Sequence, residues 1–303
     1  MGFFAIPSPP DASPNETPLL SKEGDYKLPL ADNLMSGIFI AARRLPIWPV
    51  RNWNIPEPQL TAKIALVYDT DSREILYQKN GLNERHPIAS LTKLMTGLVV
   101  MENAKPDAVF KVSKKAVETY GEIGNLVVGE ELTVANLLYA LLVESSNDAA
   151  VALAENILAA TGQNLTDLMN KKAIDLGLAN THFADSSGLD PQNYSTAWDL
   201  TKIIQEVLKY PLLAKIMQTQ SIDVLSVDGR FNHHLTATNK LLGKIPEIIG
   251  GKTGYIEEAG NCMIVAFKSP MDKGYLIAVV MKSQNRLAEI ETLIKWTKEA
   301  YLW

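Results

Sequence analysis

The sequence predicts an α+β fold: an antiparallel sheet of strands from both chain ends, a terminal helix covering it, and a helical subdomain beside it. Three observations predict this. Strand-like apolar patterns occur just after residue 61 and again beyond about residue 220. Between them, apolar residues recur at helical spacing. The closing stretch, Leu287 to Trp303, is amphipathic, with Ile290, Leu293, Ile294 and Tyr301 available for a core face. Strands flanking a helical middle are most economically joined as one sheet with the helices packed against it, which leaves a cleft between the two.

Each element follows from local signals. Ten of the 16 prolines fall within the first 58 residues, so residues 1–60 read as an extended leader or linker. The folded domain is expected over residues 61–303, with the helical subdomain at roughly 87–215 inserted in the sheet subdomain. Lys63 to Asp69 is a strand, Asp69 to Ser72 a turn, and Glu74 to Gln78 the returning strand. Pro87 precedes a helix containing Ser90. Thr133 to Val143 is a buried helix capped by Thr133. Helices follow at Asp148 to Ala160 and at Leu165 to Leu176, the latter ended by Gly177. Another opens with Thr196 as cap and Asp199 in its first turn. Ser221 to Val227, Asn261 to Lys268 and Tyr275 to Met281 are strands separated by turn signals. The mixed charges of the terminal helix favour core packing over a membrane surface.

Composition narrows the function. Hydrophobic residues make up 47% and charged residues 21% of 303, enough for a sizeable core. A net charge of −5 without a long Lys/Arg run gives nucleic-acid binding no electrostatic support. Cys262 is the single cysteine, so no internal disulfide forms, and it reads as a buried strand residue. The four histidines lack metal-ligand spacing, and His233-His234 reads as a loop or strand pair. No metal and no cofactor is expected. The first basic residue is Lys22, so no signal-peptide pattern is visible. Two readings of the start remain open: a cytoplasmic protein, or one whose export segment is missing from this sequence, with Met1 to Ile6 as its tail end.

Three polar motifs carry the chemistry. Ser-x-x-Lys occurs once, at Ser90-Leu91-Thr92-Lys93, and about one copy is expected by chance in a chain this long. Ser145-Ser146-Asn147 is equally common as a pattern, with another Ser-x-Asn at Ser283 to Asn285, for example. Lys252-Thr253-Gly254 is rarer, with about 0.1 copies expected. Their order and context carry most of the weight. Ser90 and Lys93 lie one helical turn apart and share a face. A serine hydroxyl needs a base, and lysine serves only if burial and a neighbouring cation lower its pKa. Ile88, Ala89, Leu94 and Met95 supply burial, and Lys252 the second cation. Ser145 can pass a proton to a departing amine, and the Asn147 amide can hold Lys93 and a substrate carbonyl. The same segment reads equally as an N-cap pair for the helix near Asp148. Lys252 to Gly254 suits an exposed edge strand on which a peptide lies, with Lys252 and Thr253 anchoring a carboxylate and Gly254 allowing close approach. It also reads as a plain glycine turn, since Gly250 and Gly251 adjoin it.

Together the motifs resemble the penicillin-binding and serine β-lactamase superfamily, and within it the D-alanyl-D-alanine carboxypeptidases. The resemblance runs from about Thr61 to Trp303. It extends to Val128 to Thr133, Leu141 to Ala150 and Ser187 to Asp190. It implies a β-lactamase/transpeptidase-like fold and a peptidase acting on peptidoglycan stem peptides. Ser90 would attack the terminal D-Ala-D-Ala carbonyl and Lys93 act as base. Ser145 with Lys252 would protonate the leaving D-alanine, and the Ser90 and Tyr255 N–H groups would form the oxyanion hole. β-Lactams would acylate Ser90 as covalent inhibitors. Trp198, Gly251 and Ile256 depart from common family residues. The C-terminal β-domain and membrane-binding helix of many relatives have no counterpart in this sequence.

The resemblance leaves alternatives: an endopeptidase, a β-lactamase, or an idle penicillin or peptidoglycan sensor. A class A β-lactamase needs a glutamate between the second and third motifs, and Thr181 to Leu189 contains none. Slow release of penicillin is therefore expected. The retained nucleophile, base and proton-shuttle residues argue against a sensor. Such a substrate implies an extracytoplasmic protein, and any membrane association would run through the missing N-terminal segment.

Overall fold

The structure is a computed structural model describing residues 48–121, 124–271 and 273–303. The leader expected over residues 1–60 lies outside the described residues as far as residue 47.

A sheet of five described strands organises the molecule. Label them β1 (Ile64–Asp69), β2 (Ile75–Lys79), β3 (Ile248–Ile256), β4 (Gly260–Lys268) and β5 (Tyr275–Ser283). Their order across the sheet is β3-β4-β5-β1-β2, every pair antiparallel. The two chain ends therefore meet where β5 pairs with β1, from Leu276 opposite Asp69 to Met281 opposite Ile64. β1 is buried along its whole length because both sheet faces are covered. Side-chain alternation divides its residues between two cores. Ile64, Leu66 and Tyr68 join the core on the helical side, and Ala65 and Val67 the core under the terminal helix. In β4, Cys262, Ile264 and Ala266 face the helices, while Met263, Val265 and Phe267 face the other way. Burying a ring such as that of Phe267 is worth about 2–3 kcal/mol.

The helical half is built around α1 (Thr92–Asn103), whose residues from Thr92 to Val100 are all buried. A helix buried on every side must lie at the centre of its layer. Around it stand α2 (Val134–Tyr139), α3 (Asn147–Thr161), α4 (Leu165–Asp175), α5 (Ala197–Leu208) and α6 (Pro211–Met217). The expected caps form: the Thr133, Ser146 and Thr196 hydroxyls accept from the N–H groups of Asn136, Ala149 and Asp199. The last helix, α7 (Arg286–Ala300), packs Ile290, Leu293 and Ile294 onto the far side of the sheet. Its buried Glu289 carboxylate accepts from the Thr61 and Ala62 N–H groups, tying the helix to the approach to β1.

Three elements differ from the sequence expectation. The terminal helix stops at Ala300, and Tyr301–Leu302 form a short strand paired with Val50–Arg51. Tyr301 packs edge-on to Trp296, and the Arg51 guanidinium lies over the Trp53, Trp296 and Tyr301 rings. That aromatic–cation cluster favours the extended chain over another helical turn. The helix expected over Thr133 to Val143 widens into a π-turn at Ala140–Glu144. Ser221–Leu225 pairs with Asn232–Thr236 in a separate hairpin instead of joining the main sheet. The hairpin docks on the helical half, where Asn136 donates to the Leu225 carbonyl and the Val227 N–H to that of Glu131.

Candidate active site

The three motifs converge on a cleft of about 660 Å³ between β3 and the helical half. The first motif sits at the mouth of α1. Ser90 lies in a 3₁₀ turn, Ala89–Leu91, that runs straight into the helix. Ala89 is held at φ 49°, a left-handed conformation that costs an alanine about 1–2 kcal/mol. Lys93 follows in the first turn of α1 and is fully buried. Its ammonium donates to Ser90 Oγ at 2.8 Å, Asn147 Oδ1 at 2.7 Å and the Ser187 carbonyl at 2.7 Å.

The second motif is aimed by the π-turn. The wide turn ends at Ser145 in a left-handed conformation, φ 72°, and α3 restarts at Asn147. Ser145 and Asn147 thereby line the cleft, while Ser146 turns inward as the cap. The cap reading holds for Ser146 alone, and Ser145 and Asn147 face the cleft. The Asn147 amide nitrogen also donates to the Tyr120 carbonyl at 3.0 Å, which ties the 119–121 loop over the site. The buried Asp148 carboxylate accepts from the Gly124 and Leu126 N–H groups and the Ser146 hydroxyl, fixing the far side of that loop.

The third motif lies within β3, the edge strand next to the helices. The glycine-turn reading fails, because Lys252, Thr253 and Gly254 stand in ladder register with Ile264, Met263 and Cys262. The strand is an edge, yet Lys252 and Thr253 are buried, since the helical half covers this part of it. Lys252 Nζ donates to Ser145 Oγ at 2.7 Å and to the Thr253 carbonyl at 2.9 Å. The Thr253 hydroxyl donates to that of Thr238 at 2.7 Å. A Cβ on Gly254 would lie 2.9 Å from the Ile88 carbonyl oxygen and 3.0 Å from the Ser90 nitrogen. The glycine therefore lets β3 run against the nucleophile's own backbone. Tyr255 follows at the cleft rim, 60% exposed.

Asp185 and Arg286 lie outside the short stretches that carry the resemblance, whereas Gly188 lies within one of them, Ser187 to Asp190. Asp185 accepts from the N–H groups of Ser187, Gly188 and Asp190, and so shapes the loop that presents the Ser187 carbonyl to Lys93. Gly188, at φ 86°, packs so close that a Cβ there would meet the Ala89 carbonyl oxygen at 2.0 Å. Arg286 donates to the Gly254 carbonyl at 2.7 Å and lines the cleft beside Ile256, Glu257 and Glu258. It is 34 residues beyond Lys252 and belongs to none of the three motifs. Of the family departures, Trp198 packs edge-on to Tyr68 instead of lining the cleft. Gly251 is required by space, because a Cβ there would meet the Ile264 carbonyl oxygen at 2.6 Å.

Other candidates take structural places. Cys262 is fully buried, and burial pushes its thiol up to about 11. His233 lies in a strand with Nε2 2.6 Å from the buried Glu130 carboxylate. Among the described residues, no group of His, Cys, Asp or Glu could hold a metal ion.

Comparison with known proteins points to one family. A profile of the D-alanyl-D-alanine carboxypeptidase family matches residues 52–285. Over 251 residues the chain is 36% identical to a D-alanyl-D-alanine carboxypeptidase of Bacillus subtilis (strain 168), covering 79% of this chain and 63% of that protein. It is 34% identical over 213 residues to a D-alanyl-D-alanine endopeptidase of Pseudomonas aeruginosa, covering 69% of this chain and 68% of that one. The crystal structure of the Streptomyces K15 DD-transpeptidase superposes with a TM-score of 0.73 at 28% identity, covering 81% of this chain and 100% of that chain. The chain thus spans less than two thirds of the Bacillus relative's length.

Proposed function

The chain belongs to the D-alanyl-D-alanine carboxypeptidase family, and from that premise we propose that it removes the terminal D-alanine from peptidoglycan stem peptides through a Ser90 acyl-enzyme. One observation carries the reading: a buried lysine amine lies 2.8 Å from the hydroxyl of a cleft serine, and a second buried lysine lies 2.7 Å from another.

In the reacting form Lys93 has given up one proton. As Ser90 Oγ bonds to the scissile carbonyl carbon, its proton passes to Lys93 Nζ. The carbonyl oxygen becomes an oxyanion held by the Ser90 and Tyr255 N–H groups. When the C–N bond breaks, the Ser145 hydroxyl gives its proton to the departing D-alanine nitrogen, and the Lys252 ammonium beside it stabilises the alkoxide or replaces the proton. Water then attacks the Ser90 ester and gives a proton to the Ser145 oxygen; as the ester bond breaks, Lys93 returns its proton to Ser90 Oγ, and the shortened peptide leaves as a carboxylate. Asn147 holds Lys93 through its oxygen and keeps its second amide hydrogen for the substrate carbonyl. Arg286 beside β3, and the Thr253 hydroxyl once it turns its hydrogen from Thr238, suit the substrate's terminal carboxylate. The substrate backbone lies along β3.

A β-lactam enters by the same attack and leaves slowly, because Thr181 to Leu189 supplies no glutamate to activate water. The Pseudomonas relative supports a second reading, cleavage of a cross-link instead of a free terminus. Peptidoglycan substrates put the site of action outside the cytoplasmic membrane. Among the described residues, no helix is long and apolar enough to cross one. The test is release of D-alanine from diacetyl-L-Lys-D-Ala-D-Ala, with Ser90→Ala as control. Release that survives this substitution overturns the proposal, and faster cleavage of a cross-linked dimer favours the endopeptidase.

A further inference from the structure

The end of the β3–β4 hairpin is fastened to the segment that leads into Ser90, and the fastening runs through a histidine. His86 and Pro87 form a short strand paired with Tyr194–Ser195, and the next N–H, of Ile88, donates to the Asn193 carbonyl at 3.0 Å. The His86 side chain is buried, with Nε2 2.9 Å from the Ala259 carbonyl oxygen. A carbonyl oxygen only accepts, so Nε2 carries the hydrogen. Burial lowers the His86 pKa, which keeps the ring neutral at ordinary pH.

Ala259 is the last residue of the turn between β3 and β4. Four residues earlier in the same hairpin stands Tyr255, and Glu257 and Glu258 of the turn line the cleft. The buried Cys262 thiol reaches the same place, 3.6 Å from the Ala259 carbonyl oxygen and 3.9 Å from that of Pro87. Gly254 completes the contact by its close approach to Ile88 and Ser90. Both proposed oxyanion donors are backbone N–H groups, one on each side of this junction. Their separation is set by how the hairpin sits on residues 86–90.

We propose that His86 is a positioning residue, whose hydrogen bond to the Ala259 carbonyl sets the spacing between the Ser90 and Tyr255 N–H groups. The proposal rests on the Ser90 acyl-enzyme reading. Because the oxyanion forms only during reaction, loss of the bond slows acylation and lowers kcat more than it raises KM. Lys282, Lys63 and Glu84 are the charged groups whose fields reach the ring. Lys282 and Lys63 disfavour a charged imidazole and Glu84 favours one.

The experiment compares His86→Gln, whose amide can still donate near the Nε2 position, with His86→Leu, which fills similar space without a donor. Each full-length variant is labelled with a fluorescent penicillin, assayed on diacetyl-L-Lys-D-Ala-D-Ala, and melted. The expected result for His86→Leu is full labelling at saturation but an acylation rate about tenfold lower, with His86→Gln within about threefold of wild type. Should His86→Leu not fold, His86→Asn, whose amide stops short of the carbonyl, gives the same comparison. Wild-type acylation rates in the leucine or asparagine variant overturn the proposal. So do equal losses in all variants that track lost folded protein. A wild-type enzyme that is never labelled at Ser90 overturns the acyl-enzyme reading and this inference with it.

Discussion

The two walls of the cleft are built on different principles. The helical wall presents side chains: Ser90 from a 3₁₀ turn, Ser145 from the end of the π-turn, and Asn147 and Lys93 from helix starts, with Lys93 fixed by three acceptors, at 2.7, 2.7 and 2.8 Å. The β3 wall acts largely through its backbone. Its Gly254 is needed for what it lacks, and its Tyr255, 60% exposed, is proposed to contribute an N–H. Lys252 is the exception, a strand side chain reaching across to Ser145 at 2.7 Å. The contrast teaches that the two walls fail differently. Side-chain deletions on the helical wall should abolish chemistry with the fold intact. Changes along the β3 wall should act through spacing, and so through substrate affinity, acylation rate and stability.

The largest effect expected is that of Ser90→Ala. D-alanine release should fall by about 10⁴-fold or more, with the melting temperature nearly unchanged. A melting shift as large as that of a core deletion would break the contrast. Lys93→Met comes next, a loss on the order of 10³-fold in penicillin acylation, measured by stopped-flow labelling. Gly188→Ala tests a junction between backbones instead of a reacting group. A methyl 2.0 Å from the Ala89 carbonyl oxygen must push the Ser90 turn aside. Denaturant titration should show a stability loss of about 2–4 kcal/mol, together with slower acylation. If Arg286 receives the substrate's terminal carboxylate as proposed, Arg286→Leu should raise KM for the peptide about tenfold while changing kcat little.

The smallest effect concerns pH. Burial holds the His86 pKa below its unfolded value of 6.5. In that window the unfolded chain binds a proton that the folded chain does not, so stability rises with pH. The contribution is complete above 6.5 and is lost as pH falls toward the folded pKa. Between about pH 7.5 and 5.5, wild type should lose more in melting temperature than His86→Gln. Equal losses would show that the ring is not charged on unfolding in this range.

Much of this was legible from the chain alone where the signals are local. Thr133 and Thr196 were readable as caps because capping needs only residue type and the next three positions. The strand–helix–strand order followed from periodicity. Other features had no local signature. The π-turn at Ala140–Glu144 interrupts a stretch whose residues read as ordinary helix. Tyr301 fits the apolar face of the terminal helix in sequence, but pairing with Arg51 and packing against Trp296 draw it into a strand. Arg286, Asp185 and His86 belong to no motif, and their observed partners include residues 32, 5 and 173 positions away.

The chemical groups and their spacing within each motif are local properties, because three or four residues in a helix or strand have fixed relative positions, and the order of strands and helices is likewise written along the chain. The longer-range distances, Lys93 to Asn147, Lys252 to Ser145, Gly254 to Ser90 and His86 to Ala259, arise on folding. Those depend on how one edge of the sheet packs against the helical half. They are set by buried apolar surface and by close backbone approach, neither of which a local pattern encodes.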